Sequence, residues 1–371
     1  MQDLLDAPKS QTFGYDALKQ LTHAEGAYGI LNYAYDAVGD RTQLVDNGTV
    51  TDYSYTPDSN RLLQAGSDAY QYDETGNTVQ AGDLSLSYNA RGRLAQATPA
   101  HGKAGQYGYN ALGQRVIKTV NHKTTLFAYD LNGHLIGKYD DAGNPVREYV
   151  YLNDTPIALL RPKGHQLEVL YIHSDHLGTP KLLTNDKEQV RWEATMRPFG
   201  QTEIKGKGVE LPLRFPGQYL DDVTELHYNR FRFYAIGLGR YIRVDLLGIE
   251  GGPNRYAYAD DDPVGHSDPT GLSTCGSGSL EVAIPDNPRF LYRFSECCNM
   301  HDDCYGTCES GKDGCDKSFY SCMKKKCGRY IFVPGLYVDC LKPAAIYYQA
   351  VHWFGGNPYD NAQDKACANC K

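Results

Sequence analysis

The first 274 residues contain no cysteine, although the chain has 11; all of them fall between Cys275 and Cys370. That long segment therefore owes nothing to disulfides or thiolate metal sites and has to hold itself together by burying apolar surface. Positive charge is not in excess either. In 371 residues, 37 Lys and Arg stand against 45 Asp and Glu, a net charge of −8. This lacks the basic footprint of a nucleic-acid-binding protein, so no nucleic-acid partner is expected. No run approaches the 18 or so consecutive apolar residues of a membrane-spanning helix. The stretch from Met1 to Ser10 has two acids and no apolar core. No cleavable signal peptide is expected there, so export takes a specialised route. With 41% hydrophobic and 22% charged residues, the composition excludes a disordered chain.

What is present divides at the same place. Of the 30 tyrosines, 22 lie in residues 1–272. From Ser273 onward the charges cancel, 11 basic against 11 acidic, so the whole of the −8 belongs to residues 1–272. The length alone is a prior for two domains. These shifts place the boundary, with 1–272 and 273–371 as units of different chemistry.

The N-terminal unit repeats itself. Tyr35-Asp36-Ala37-Val38-Gly39 recurs as Tyr72-Asp73-Glu74-Thr75-Gly76, Tyr88-Asn89-Ala90-Arg91-Gly92, Tyr109-Asn110-Ala111-Leu112-Gly113 and Tyr129-Asp130-Leu131-Asn132-Gly133, and Tyr55 opens a degenerate copy. Alternating residues before each copy read as a strand, and Asp or Asn with Gly three positions later reads as a tight turn. Each unit is a β-hairpin. One hairpin cannot bury its own face, whereas a row of them makes a continuous sheet lined with tyrosine.

These hairpins resemble the YD repeats of Rhs proteins. The stretch Tyr171 to Pro180 is similar to the core signature of that family, as are Gly217-Gln218-Tyr219-Leu220-Asp221-Asp222 and Leu226-His227-Tyr228-Asn229-Arg230. The segment from Gly239 to Leu272, closing on Asp268-Pro269-Thr270-Gly271-Leu272, resembles the Rhs-associated core terminus. The resemblance implies a β-rich shell that carries a variable C-terminal toxin, with an immunity protein and secretion-system components as partners. It also implies that an aspartyl activity cuts the chain after Leu272, with Asp268 and Asp245 as the two carboxylates. Such chemistry needs one carboxyl protonated while the other activates water. Read by itself, Asp268-Pro269 opens a turn before a linker. Asp260, Asp261 and Asp262 are rival carboxylates whose plainer reading is a solvated loop.

Eleven cysteines in so short a C-terminal unit indicate a disulfide scaffold in an oxidising compartment, with one cysteine left over. In Glu296-Cys297-Cys298-Asn299-Met300-His301-Asp302-Asp303-Cys304-Tyr305-Gly306-Thr307-Cys308, positions 297, 301, 304, 305 and 308 share one helical face. Cys315-Asp316 to Cys322 repeats the spacing. Two antiparallel helices would set Cys304 opposite Cys315 and Cys297 opposite Cys322, and would bring Asp316 near the level of His301. A buried His with an orienting carboxylate is a general base. Upstream, Thr274-Cys275-Gly276-Ser277-Gly278 is a short glycine loop whose carbonyls suit calcium.

The motif Cys-Cys-x-x-His-Asp-x-Cys-Tyr resembles that of secreted phospholipase A2. Gly314-Cys315-Asp316, Phe319 and the terminal Asn357-Pro358-Tyr359 with Cys367 and Cys370 are most similar to the group XII branch. The resemblance implies a mainly α, disulfide-rich fold with His301 as base, Asp316 as its orienting acid and Tyr305 supporting that pair by hydrogen bonding. Calcium would be held by Asp302 and the carbonyls of Thr274, Gly276 and Gly278, and a bridge would join Cys275 to Cys298. It further implies calcium-dependent hydrolysis of the sn-2 ester of membrane phospholipids, at the membrane or in the periplasm of a target cell. The alternative is a non-enzymatic cysteine-rich module that binds lipid or zinc on a YD-repeat scaffold or adhesin. Lys324-Lys325-Lys326 reads as a solvated helix end before it reads as a lipid contact.

Overall fold

The computed structural model describes residues 9–206, 208–246 and 253–272, and in the C-terminal part residues 309–328 with single positions between 297 and 363. Contacts divide the chain into two units, Met1–Gly271 and Leu272–Lys371.

The first unit is an antiparallel meander. Twenty strands, from Thr12–Tyr15 to Thr202–Lys205, each pair with the next in sequence. The turns between them show why Asp or Asn follows the repeat tyrosine. The Asp36 carboxylate accepts the N–H groups of Val38 and Asp40 at 3.0 and 2.9 Å. Asn89 does the same for Arg91 and Arg93. So does Asp175 for Leu177 and Thr179, inside the family signature. A short acceptor reaches exactly those two donors from the turn's first position. Gly39, with φ +80°, supplies the left-handed residue that closes the turn. Tyr139-Asp140-Asp141-Ala142-Gly143 is a further copy, with Asp140 on Ala142 and Asn144.

The tyrosine hydroxyls link successive units. Tyr35 donates to the carbonyl of Leu21 at 3.0 Å, Tyr55 to Arg41 at 2.8 Å, Tyr109 to Leu94 at 2.8 Å and Tyr129 to Arg115 at 3.0 Å. Each acceptor is the first residue of a strand: Leu21–Gly26, Arg41–Asp46, Leu94–Pro99 and Arg115–Val120. Each of these tyrosines also sits where the pairing register shifts, so the strand bends and the ring leaves the plain alternation. Between the turns the alternation is regular. Leu31 and Tyr33 are buried while Ile30 and Asn32 face out.

A second, four-stranded sheet follows, made of Tyr219–Leu220, His227–Asn229, Arg232–Ala235 and Arg240–Tyr241. Nearly all its residues are buried, because it fills space against the meander. Tyr228 and Phe233 pack with Leu86, Leu94 and Tyr107. Tyr219 packs with Phe127, Leu159, Leu170 and Trp192. Asp221, fully buried, ties the two sheets together. It accepts Arg115 at 2.6 Å, Lys118 at 2.9 Å and the Tyr107 hydroxyl at 2.9 Å. Burial pushes its carboxyl up, but the two cations outweigh that and hold it down at about 2.

In the second unit the helix α1 spans Lys312–Cys327. It buries Cys315, Asp316, Phe319, Met323 and Cys327, one stripe at helical spacing. Asp313 in its first turn and Lys324, Lys325 and Lys326 in its last complement the helix dipole. Phe319, Met323 and Cys327 form a core with Cys297, Cys340, Ala344 and Tyr347. Three disulfides join described residues: Cys297–Cys322, Cys304–Cys315 and Cys327–Cys340. Among the described residues no helix is long and apolar enough to cross a membrane.

Candidate active site

Two groups of residues carry chemistry, one in each unit. In the first unit Asp245 and Asp268, 23 positions apart in sequence, meet at one side chain. A single nitrogen of Arg232, Nη2, lies 2.9 Å from Asp245 and 3.0 Å from Asp268. The sheet strand Arg232–Ala235 brings the guanidinium there, and it is buried along with Asp245. Both carboxylates therefore meet at one guanidinium nitrogen. Burial pulls the Arg232 charge down, but Asp245, Tyr241 and Asp268 outweigh it and leave the guanidinium more firmly protonated than usual. Tyr241 donates to Asp268 at 2.8 Å.

The chain after Asp268 is held as well. Asn229 donates to the Asp268 carbonyl at 2.7 Å, Arg232 Nε donates to the Gly271 carbonyl, and Phe231 N–H donates to Thr270. Gly271 has φ +74°, and a Cβ there would meet the Asn229 carbonyl at 2.5 Å, so only glycine fits. Leu272 is buried, and Ser273 lies outside the described residues. The rival carboxylates sit elsewhere. Asp261 accepts Gln20 at 3.3 Å, and burial pushes its carboxyl up to about 7. Asp262 is 3.9 Å from His266.

In the second unit His301 Nε2 lies 2.9 Å from Asp316 Oδ1, and the Tyr305 hydroxyl donates to the same oxygen at 2.7 Å. Residues 297, 300, 301, 304 and 305 are helical. His301 and Tyr305, four apart, therefore share a face, with ring centroids 4.1 Å apart. The bridges Cys297–Cys322 and Cys304–Cys315 bracket His301 in sequence and fasten its face to α1. Phe319, one turn beyond Asp316, backs the imidazole at 4.7 Å between centroids. His301 is 3% exposed and Asp316 is fully buried. Burial drives the Asp316 carboxyl up, but hydrogen bonds from His301, Lys312 and Tyr305 outweigh it and hold it down at about 2. An ionised acid can only accept, so Nε2 carries the proton and Nδ1 is the basic atom of the ring.

Of the remaining residues read from the sequence, Asp302, Thr274, Gly276, Gly278, Cys275 and Cys298 lie outside the described residues. Among the described residues no group of three or more His, Cys, Asp or Glu is placed to hold a metal ion. Sequence reasoning missed Arg232, two positions past the quoted Asn229-Arg230. It also missed Lys312, and the bridge Cys327–Cys340. Lys312 had a signal, since it stands four residues before Asp316 and so on the same helical face.

The profile of the teneurin YD-shell matches residues 4–261. That of the group XII secretory phospholipase A2 precursor matches residues 231–371. The chain is 29% identical over 303 residues to double-stranded DNA deaminase toxin A of Burkholderia cenocepacia, with 70% of this chain and 20% of that protein covered. It is 30% identical over 254 residues to toxin protein Tse5 of Pseudomonas aeruginosa, covering 57% of this chain and 19% of that one. To the probable deoxyribonuclease RhsB of Dickeya dadantii it is 26% identical over 312 residues, covering 74% and 22%. This chain thus spans about a fifth of the length of these relatives. Among solved structures, the Tc holotoxin pore of Photorhabdus luminescens superposes with a TM-score of 0.60 at 21% identity, over 73% of this chain and 16% of that one. The TcdB2–TccC3–Cdc42 complex gives 0.58 at 20% identity, over 71% and 15%.

Proposed function

The chain belongs to the teneurin YD-shell family, and from that premise we propose that it is the cargo-bearing end of an Rhs-type toxin whose C-terminal unit hydrolyses the sn-2 ester of membrane glycerophospholipids. The observation that carries this reading is the buried His301–Asp316 pair with Tyr305 on the same oxygen, in a unit that matches the group XII phospholipase profile. The named activities of the relatives differ, deaminase in one and deoxyribonuclease in another. A common scaffold with exchanged cargo accounts for that difference.

In the reaction, Asp316 accepts a hydrogen bond from the Nε2–H of His301 and fixes the tautomer. Nδ1 then takes a proton from water as the water oxygen attacks the ester carbonyl. The imidazolium returns that proton to the departing glycerol oxygen, giving a fatty acid and a lysophospholipid. By the family resemblance, the Asp302 carboxylate and the carbonyls of Thr274, Gly276 and Gly278 are the oxygens that would hold calcium. A calcium ion held by them would supply Lewis-acid polarisation of the ester carbonyl.

Release of the unit is assigned to cleavage after Leu272 by Asp245 and Asp268, with Arg232 setting their charge. We further propose delivery by a specialised secretion route, a cognate immunity protein in the producing cell, and action at the target membrane or periplasm.

The test is fatty-acid release by the full chain from phospholipid vesicles, with calcium and with calcium chelated. Hydrolysis is expected only with calcium. His301→Ala should lower turnover about 10²–10⁴-fold, the usual worth of a general base. Wild-type rates in that variant would remove His301 from the mechanism.

A further inference from the structure

Asp316 has two carboxylate oxygens, and the general-base pair uses only one. Oδ1 receives both His301 and Tyr305. Oδ2 receives the Lys312 ammonium at 2.8 Å, with His352 Nδ1 3.6 Å away. Lys312 is the first residue of α1 and stands one turn before Asp316, so the helix itself carries its ammonium to the carboxylate. The same ammonium donates to the main-chain carbonyl of His352 at 3.0 Å. This differs from an exposed surface pair, which contributes little. The Lys312 side chain is 23% exposed, but the anion it meets is wholly buried.

We propose that Lys312 is a positioning residue for the base: it pins the second oxygen of Asp316 and so holds the carboxylate plane, and through it the His301 ring. The inference rests on the phospholipase reading. Two arguments lead to it. Both donors on Oδ1 pull at a single oxygen, and a carboxylate held at one oxygen swings about its Cβ–Cγ bond. A donor on the other oxygen stops that rotation. Second, a buried carboxyl with no cation beside it tends to protonate. A protonated Asp316 would donate to Nε2, and the imidazole proton would then sit on Nδ1, where it blocks proton transfer from water. Lys312 keeps the acid in the form that accepts. Among the described residues, His301, Tyr305 and His352 are the other groups facing it.

The experiment uses the full chain with calcium and mixed phosphatidylethanolamine–phosphatidylglycerol vesicles. Fatty-acid release is measured to give kcat and KM separately for wild type, Lys312→Met, Lys312→Gln and Lys312→Arg, with His301→Gln as the inactive reference. Near-ultraviolet dichroism and the thermal midpoint are recorded for each. Partners that orient a reacting group typically carry about 10–100-fold when removed. Lys312→Met and Lys312→Gln should lower kcat by that much at unchanged KM with native near-ultraviolet dichroism, and Lys312→Arg should recover most of the kcat. Wild-type kcat in both neutral variants overturns the inference. So does an equal fall in all three variants together with the thermal midpoint, which is the mark of a merely structural lysine. A wild-type chain that releases no fatty acid overturns the phospholipase reading itself, and this inference with it.

Discussion

At the residue scale, the two sites solve the problem of a buried acid in different ways. Asp316 is surrounded by three donors and stays ionised, which suits an orienting role. Asp245 and Asp268 instead meet at one buried cation, Arg232 Nη2. Asp268→Asn removes one of the two carboxylates from that guanidinium. Its full-length chain should stay uncut on a denaturing gel where the wild type yields two fragments split after Leu272. Cleavage at the same bond in that variant would rule out the role given to Asp268. The gel has to be denaturing, because the two pieces can stay associated after the cut.

Elements differ in what holds them. The repeat hairpins of the first unit carry their own instructions, as at Asp36 to Gly39, where an acceptor side chain and a glycine stand inside the turn. The helices of the second unit are fastened covalently. Cys297–Cys322 and Cys304–Cys315 hold the face bearing His301 against α1, and Cys327–Cys340 anchors the far end. Loss of a native disulfide from a small domain typically costs about 2–5 kcal/mol. Treatment with a strong reductant should therefore abolish fatty-acid release and near-ultraviolet dichroism from the second unit. The first unit, which has no cysteine, should keep its β-sheet signal. Full activity after the bridges are shown to be broken would contradict this.

The whole first unit depends on long-range charge as well as on its turns. Asp221 reaches back to Arg115 and Lys118 and joins the short sheet to the meander. Its carboxyl lies lower in the fold, at about 2, than the ordinary value near 4 of an unfolded chain. Stability from this group is therefore complete above about pH 4 and is lost as pH falls through about 2. Asp221→Asn strands a buried guanidinium, and breaking such a pair costs about 3–5 kcal/mol at neutral pH. Urea unfolding followed by Trp192 fluorescence should show that loss at pH 7. The variant should also lose less stability than the wild type between pH 4 and pH 2. A wild-type midpoint at pH 7 would show that the cluster is not what binds the sheets.

The sequence by itself determined whatever depends on neighbours along the chain. The Asp or Asn of turns such as those at Asp36, Asn89 and Asp140 meets donors two and four residues away, so the repeat could be read directly. His301 and Tyr305 are one helical turn apart, and equal spacings between cysteines were enough to set Cys297 opposite Cys322 and Cys304 opposite Cys315. Only the tertiary structure decided which distant groups meet. Arg232 reaches Asp245 and Asp268 because the short sheet packs against the segment from Asp268 to Gly271, and no spacing encodes that. Asp221 meets Arg115 across 106 positions, with nothing local to link them. A buried charge can be kept only where its counter-charge is buried beside it, and where that partner lies is a property of the packing.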